Sequence, residues 1–295
     1  MLRMVFGVLL VVVLSVIVTL GVVNIVQVKS IEKQFDAVIK KIDKASEKLE
    51  KLVEAGGKSH AAPHAAAHWS YDGELMPAKW GDVYPVCGSG KSQSPVDIRG
   101  PFEKATHELK PDFKPDTLKV VNNGHTLQVN VGNGSKTVIN GESYELLQFH
   151  FHRPSEEHIE GKPMAMVAHF VHKSAAGKYA VIGVLLSEGA ENDSIKLIWA
   201  NAPLKEGPEK VVTESTLNAA AMLPKRLNYY SFEGSLTTPP CTEGVRWQVL
   251  QTPTTISEAQ VKAFNAIIKP NARPVQPIKA RDVLKDAIYK FQTAG

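Results

Sequence analysis

From Met4 to Val23 the chain is apolar apart from Ser15 and Thr19, and Ile25, Val26 and Val28 extend the run. At about 1.5 Å per residue such a run spans a hydrocarbon core of about 30 Å, which predicts a single-pass membrane helix within residues 1–28. A secretory signal has a shorter apolar region, about 7–15 residues, closed by a small-x-small cleavage site. No clean site follows here, which favours an uncleaved signal anchor over a form secreted after cleavage. Arg3 lies on one side of the run and Lys29 and Lys33 on the other, so charge leaves the orientation open.

Beyond it, Ile31, Phe35, Val38, Ile42, Ala45, Leu49 and Leu52 alternate steps of four and three, with Lys, Glu and Asp between them. This seam of about three heptads predicts a coiled-coil helix over residues 29–54, through which copies of the chain self-associate. An amphipathic helix laid on the membrane or on the next domain is the other reading. Residues 55–68, "AGGKSHAAPHAAAH", have the Gly, Ala and Pro content of a linker. His60, His64 and His68 recur there every four residues, a spacing that suggests metal gathering on a helix, but Pro63 argues against one continuous helix.

From Trp69 the pattern changes to short alternating runs broken by Gly, Pro and Asn: "LKVVNNGHTLQVNV", "YELLQFHFH", "MVAHFVHK", "YAVIGVLLSEG", "GVRWQVL". These are strand and turn signals, and "NNG" marks a tight turn. Ser257 to Ile267 opens with a Ser-x-x-Gln capping box and is the clearest helix. Residues 69–295 therefore read as one mainly β domain with few, short helices.

Composition narrows the function classes. The 295 residues are 43% hydrophobic and 22% charged, with a net charge of +4 spread along the chain. That excludes a disordered chain and a polytopic membrane protein, and it lacks the basic stripe of a nucleic-acid binder. The two cysteines, Cys87 and Cys241, stand far apart in no zinc or redox spacing. This suits one structural disulfide in an exported domain, although spacing leaves two unrelated buried thiols open.

The chemistry gathers in "QFHFHRPSEEHIEGKPMAMVAHFVHK", residues 148–173, which holds five histidines. Residues two apart in a strand share a face, so Gln148, His150 and His152 point one way while Phe149 and Phe151 point the other. On the later run His169 shares a face with Val167 and Val171, and His172 points away. If the two strands are neighbours, His150, His152 and His169 converge. His158 sits in a polar connector and reads as a surface residue. Three imidazoles with an open fourth position suit catalytic zinc, whereas structural zinc usually closes its shell with cysteine.

"QFHFH", "AHFVH", "NNGHTLQV", "KSQSPVDI" and "GSLTTPPCTEGVRW" together resemble the α-class carbonic anhydrases of the bacterial exported branch. The resemblance runs in order over roughly Trp69 to Leu284. It implies an α+β fold around a large, mostly antiparallel twisted sheet, and zinc-dependent reversible hydration of carbon dioxide to bicarbonate by zinc hydroxide. Matched residue by residue, it implies zinc on His150, His152 and His169. Thr237 would orient the attacking hydroxide by donating to buried Glu156, and Thr238 would contact substrate oxygens. Val171, also placed there by alternation, and Val181, Leu236 and Trp247 would line the carbon dioxide pocket. His125 would shuttle protons, with Tyr71 and Asn123 ordering the intervening water. Gln148 and Asn271 match the partners of His150 and His152, and Cys87 and Cys241 match a disulfide pair.

One position departs from the family. A glutamate that orients the third histidine is replaced by Val167, and Glu157 lies where it is expected to supply that charge to His169 instead. The anchor, heptad helix and linker lie outside the resemblance; joined to the exported branch, the apolar run gives a single-pass protein of a bacterial inner membrane with its catalytic domain in the periplasm or outside the cell. A carbonic-anhydrase-like binding module with little activity is the alternative; it would follow from loss of the ligand set.

Overall fold

The computed structural model describes residues 68–105, 108–278 and 283–285, with Ala37, Lys40, Lys41 and Lys44 as isolated helical positions. The anchor expected over 1–28, nearly all of the heptad helix over 29–54 and all of the linker but His68 lie outside the described residues. Among the described residues no helix is long and apolar enough to cross a membrane. A compact unit begins at Ala67.

Its frame is eight strands: β1 (Pro115–Asn122), β2 (Leu127–Asn130), β3 (Glu142–His152), β4 (Met166–Ser174), β5 (Tyr179–Glu188), β6 (Lys210–Asn218), β7 (Tyr229–Ser235) and β8 (Glu243–Leu250). They lie in the order β6-β1-β2-β3-β4-β5-β8-β7 within a sheet of 13 strands among the described residues. Every neighbouring pair of these eight is antiparallel except β5 and β8. This is the mainly β, mostly antiparallel architecture expected from the alternating runs.

From Trp69 on, the α-helices among the described residues are few: α1 (Trp80–Val83), α2 (Pro85–Ser89), α3 (Asp193–Asn201) and α4 (Glu258–Ile267). Ser257 caps α4 as its sequence predicts, accepting from Gln260 N while the Gln260 side chain accepts from Ser257 N. Ile195 and Ile198 of α3 and Val261 and Phe264 of α4 join Phe149, Phe151 and Phe170 in the main core. Burying each such side chain stabilises the fold by about 1.5–3 kcal/mol. On the sheet's other face Val167, Val171, Val181, Val245 and Trp247 pack with Val96 and Ile98. Because β4 and β5 are covered on both faces, they read as nearly continuous apolar runs rather than strict alternation.

Two local features aim the site. The β3–β4 register shifts between Leu146 and Gln148. This bulge resets the alternation, so that Leu146 and then Phe149 and Phe151 all face the main core. Gln148, His150 and His152 are thereby turned to the opposite face. In the turn between β1 and β2, Gly124 has φ +82°, a conformation that favours glycine, and its N–H donates to Asn122 Oδ1 at 3.0 Å. That turn presents His125.

Candidate metal centre

Because β3 and β4 are antiparallel neighbours, His150 stands directly opposite His169, and His152 opposite Val167. The ligand atoms of His150, His152 and His169 all lie within 4.8 Å of one another. Each ring is held from behind by a different acceptor. His150 Nδ1 donates to Gln148 Oε1 at 2.8 Å, His152 Nδ1 to the carbonyl oxygen of Asn271 at 2.8 Å, and His169 Nε2 to Glu157 Oε2 at 3.0 Å. These bonds select the tautomers and leave His150 Nε2, His152 Nε2 and His169 Nδ1 to face one another. His152 Nε2 is buried with no hydrogen-bond partner, a cost that a metal ion removes. Three neutral nitrogens aimed at one point fit zinc.

Electrostatics keep two of the three ligands, His150 and His152, neutral. Burial, then the neighbouring His169, push His150 down to about 3. Burial, then His169 and His150, hold His152 well below its ordinary value, against the hydrogen bond to Asn271. Burial also works against a charged His169, but the charge and hydrogen bond of Glu157, followed by Glu156, outweigh it and raise the group.

Glu156 and Glu157, in the polar connector between β3 and β4, are 1% and 0% exposed. Ser155 fixes that connector: its Oγ donates to the Glu157 carbonyl and accepts from Met164 N, both at 2.8 Å. Glu156 Oε2 lies 3.5 Å from His152 Nε2 and 3.7 Å from His169 Nδ1, while Oε1 accepts the main-chain N–H of Arg273 at 2.7 Å. Burial raises Glu156 to about 8; His169 opposes the shift, Glu157 adds to it, and the Arg273 N–H and Thr237 hydroxyl oppose it. Val167 is sealed in the apolar cluster with Val96 and Ile98, and carries no charge to the site.

A cavity of about 280 Å³ opens beside the ligands, lined by His150, His169, Thr237 and Gln148. Val171, Val181, Leu236, Thr238 and Trp247 line it as well, so all five residues expected around the substrate meet there. Trp247 is fixed by its Nε1–H donating to the Ser235 carbonyl at 3.0 Å. The loop bearing Thr237 and Thr238 is closed by Leu236 N to Thr242 O at 2.9 Å and Cys241 N to Thr238 O at 2.8 Å. Cys87 and Cys241 form a disulfide across 154 residues. In a chain-entropy account a loop of that size contributes about 5 kcal/mol.

His125 does not line this cavity. It lies against a neighbouring one of about 420 Å³, together with His68, Tyr71, Glu206 and Asn271. Its ring stacks on Trp69 with centroids 3.7 Å apart and planes 11° apart, and the His68 ring is 5.4 Å away. Burial, then His68, lower its pKa, opposed by Glu206. Asn123 is partly committed elsewhere, because its Oδ1 accepts from His125 N and Thr126 N at 3.0 and 2.9 Å. Tyr71 packs edge-on against Trp69 and Trp80. Burial and then Glu156 raise its hydroxyl well above the ordinary value, with Arg273 opposing.

The two remaining histidines are accounted for. His172, on the opposite face, is buried and shares a hydrogen bond with Thr137 Oγ1 at 3.0 Å. His158 is half-buried rather than exposed, because it pairs with Asp97 in a two-residue parallel ladder. Sequence reading missed Arg273 and Trp69. Trp69 meets the site by stacking on His125 and Arg273 by donating to Glu156, both far along the chain, so neither contact carries a local signal.

The model of eukaryotic-type carbonic anhydrases matches residues 74–287. The carbonic anhydrase of Neisseria gonorrhoeae is 44% identical over 232 residues, covering 77% of this chain and 91% of that protein. A hyperthermostable carbonic anhydrase from an active hydrothermal vent chimney superposes with a TM-score of 0.72 at 42% identity, over 75% of this chain and 100% of that one. The α-carbonic anhydrase of Thermovibrio ammonificans, solved with the inhibitor sulfanilamide, gives a TM-score of 0.72 at 40% identity, over 74% and 99%.

Proposed function

The chain belongs to the eukaryotic-type, or α-class, carbonic anhydrase family, a zinc-dependent group that hydrates carbon dioxide reversibly to bicarbonate, and we propose the following division of labour among its residues. His150 Nε2, His152 Nε2 and His169 Nδ1 hold zinc. When bound, zinc supplies the Lewis acidity that, as is established for carbonic anhydrases in general, brings a water's pKa to about 7. The convergence of three backed histidines is the observation that carries this reading.

Thr237 donates its single proton to Glu156, so it can only accept from the attacking oxygen, which aims a lone pair at the substrate carbon. Val171, Val181, Leu236 and Trp247 hold the apolar substrate, and Thr238 contacts its oxygens. Gln148 and the Asn271 carbonyl orient two ligands, and Glu157 does for His169 what residue 167 cannot. His125 receives the released proton on the solvent side, along a path ordered by Tyr71 and Asn123. A binding module without activity would lack a ligand or the Thr237–Glu156 pair, and this chain has all five residues. Stopped-flow hydration of carbon dioxide by the purified full chain tests the reading; a zinc-loaded protein without activity would favour the binding module.

Two further results are expected. Glu157→Gln should weaken zinc binding about 10–100-fold in chelator competition, because it removes the charge behind His169. An unchanged affinity would reject that role. His125→Ala should lower turnover about 10²-fold in weak buffer and recover on adding imidazole, with kcat/KM unaltered. Imidazole-independent turnover equal to that of the unmodified protein would remove His125 from the path.

For the N-terminal region, the long apolar run and the heptad spacing support a signal anchor over residues 1–28 in a bacterial inner membrane and a self-associating helix over 29–54. The domain would then face the periplasm or the cell exterior. Full-length protein recovered as a monomer in the soluble fraction without detergent would contradict both.

A further inference from the structure

Residues 271–278 form an irregular strap, tied by its main chain through one β-bridge, Gln276 to Val96, and through Asn271 N donating to the Arg153 carbonyl at 3.1 Å and Gln276 N to the Pro95 carbonyl at 2.7 Å. It nevertheless makes two contacts on which the site depends. The Asn271 carbonyl accepts from His152, and two residues on the main-chain N–H of Arg273 donates to Glu156. Between those ties, at residues 272–275, the main chain has no ladder to hold it and depends on side-chain anchors.

Asn271 has its own anchors. Its side chain donates to the carbonyls of Phe151 at 2.8 Å and His125 at 3.0 Å, and accepts from Arg153 N at 2.8 Å. The contact to Glu156 is anchored differently, through the Arg273 side chain. That side chain is buried, with 3% of the residue exposed. Nη1 donates to Gln93 Oε1 at 2.9 Å and the Ser94 carbonyl at 2.7 Å, and Nη2 donates to the Cys87 carbonyl at 2.9 Å. The guanidinium carbon lies 5.7 Å from the Trp80 ring centroid.

All three hydrogen-bond acceptors are neutral, so the buried cation is held by oriented dipoles, with the charge of Glu156 adding attraction. The disulfide stabilises that cage from both ends. Cys87 supplies one acceptor, and Gln93 Nε2 donates to the Cys241 carbonyl at 3.1 Å.

We propose that Arg273 is a positioning residue for the reaction: its guanidinium pins the strap to the disulfide-bridged segment, and that pin sets the place of the Glu156 carboxylate. The inference rests on Glu156 serving Thr237 as proposed above. It assigns the disulfide a part in the geometry of the site in addition to closing the Thr237 loop.

Arg273→Ala and Arg273→Lys in the full chain test it. Arg273→Ala should lower kcat about tenfold or more through misplacement of Glu156, with KM and zinc content, by chelator competition, within about twofold of the unmodified protein. Zinc should be spared because Asn271 keeps its separate anchors. In the zinc-free protein the amide hydrogen of residue 273 should exchange faster, which reports the bond to Glu156 directly. Added guanidinium should restore part of kcat, while ammonium at the same chloride concentration should not, and Arg273→Lys should fall between.

An unchanged kcat, a loss that only follows zinc loss, or unchanged amide exchange would overturn the proposal. So would failure of both variants to fold, since Arg273 would then be a structural residue only. If Glu156→Gln keeps full kcat, the reading of Glu156 fails instead, and the exchange rate still decides whether Arg273 sets its place.

Discussion

His152→Ala is expected to lower carbon dioxide hydration by about 10³-fold or more, since a bound zinc contributes several kcal/mol of charge stabilisation to the reaction. His152 is 1% exposed, and its Nε2, with no hydrogen-bond partner in the protein, is a polar atom that a metal would satisfy. The substitution leaves two ligands, too few for a tight zinc site. It also removes the donor to the Asn271 carbonyl, which costs about 1–3 kcal/mol of stability. The fold should stand, because Phe149, Phe151 and the helices on the other face are untouched. Zinc stoichiometry and hydration rate measured together check this, and the two should fall together.

Thr237→Ala should behave differently. Its zinc content should stay near one per chain, yet kcat/KM should fall about 10²-fold, the penalty expected when a reacting oxygen is held but misdirected. The physical basis is the Glu156 carboxyl, whose Oε1 already accepts the Arg273 N–H and which the Thr237 hydroxyl also engages. A threonine whose proton is committed can only accept from its other neighbour. Stopped-flow rates normalised to bound zinc distinguish this from a binding defect. A normalised rate equal to that of the unmodified protein would remove Thr237 from the orientation step.

The zinc triad was legible in the sequence because strand alternation is a local rule. His150 and His152 stand two apart, and His169 needed only the neighbouring strand, which the structure supplies as the β3–β4 pair. The carbon dioxide pocket was legible through Val171 by alternation and through motif resemblance for the rest. Other parts were hidden for identifiable reasons. The bulge at Leu147 has no glycine to announce it, yet it decides which face carries the histidines.

The partner of His152 is a main-chain carbonyl, so the identity of Asn271 alone does not reveal which of its atoms bonds the ring. Arg273 acts across about 180 residues on Gln93, Ser94 and Cys87, a distance no local pattern spans. His158 read as exposed because its connector is polar, but a short ladder with Asp97 half-buries it. Glu157 was the reverse case: a polar connector residue that turns inward to meet His169 at 3.0 Å, where Val167 supplies no charge.

The most direct test of the central claim is carbon dioxide hydration by the purified full chain before and after prolonged chelation, followed by titration with zinc. Activity that disappears with the metal and returns in proportion to zinc, reaching its plateau at one equivalent, is the predicted result. Hydration that persists after complete metal removal would contradict it.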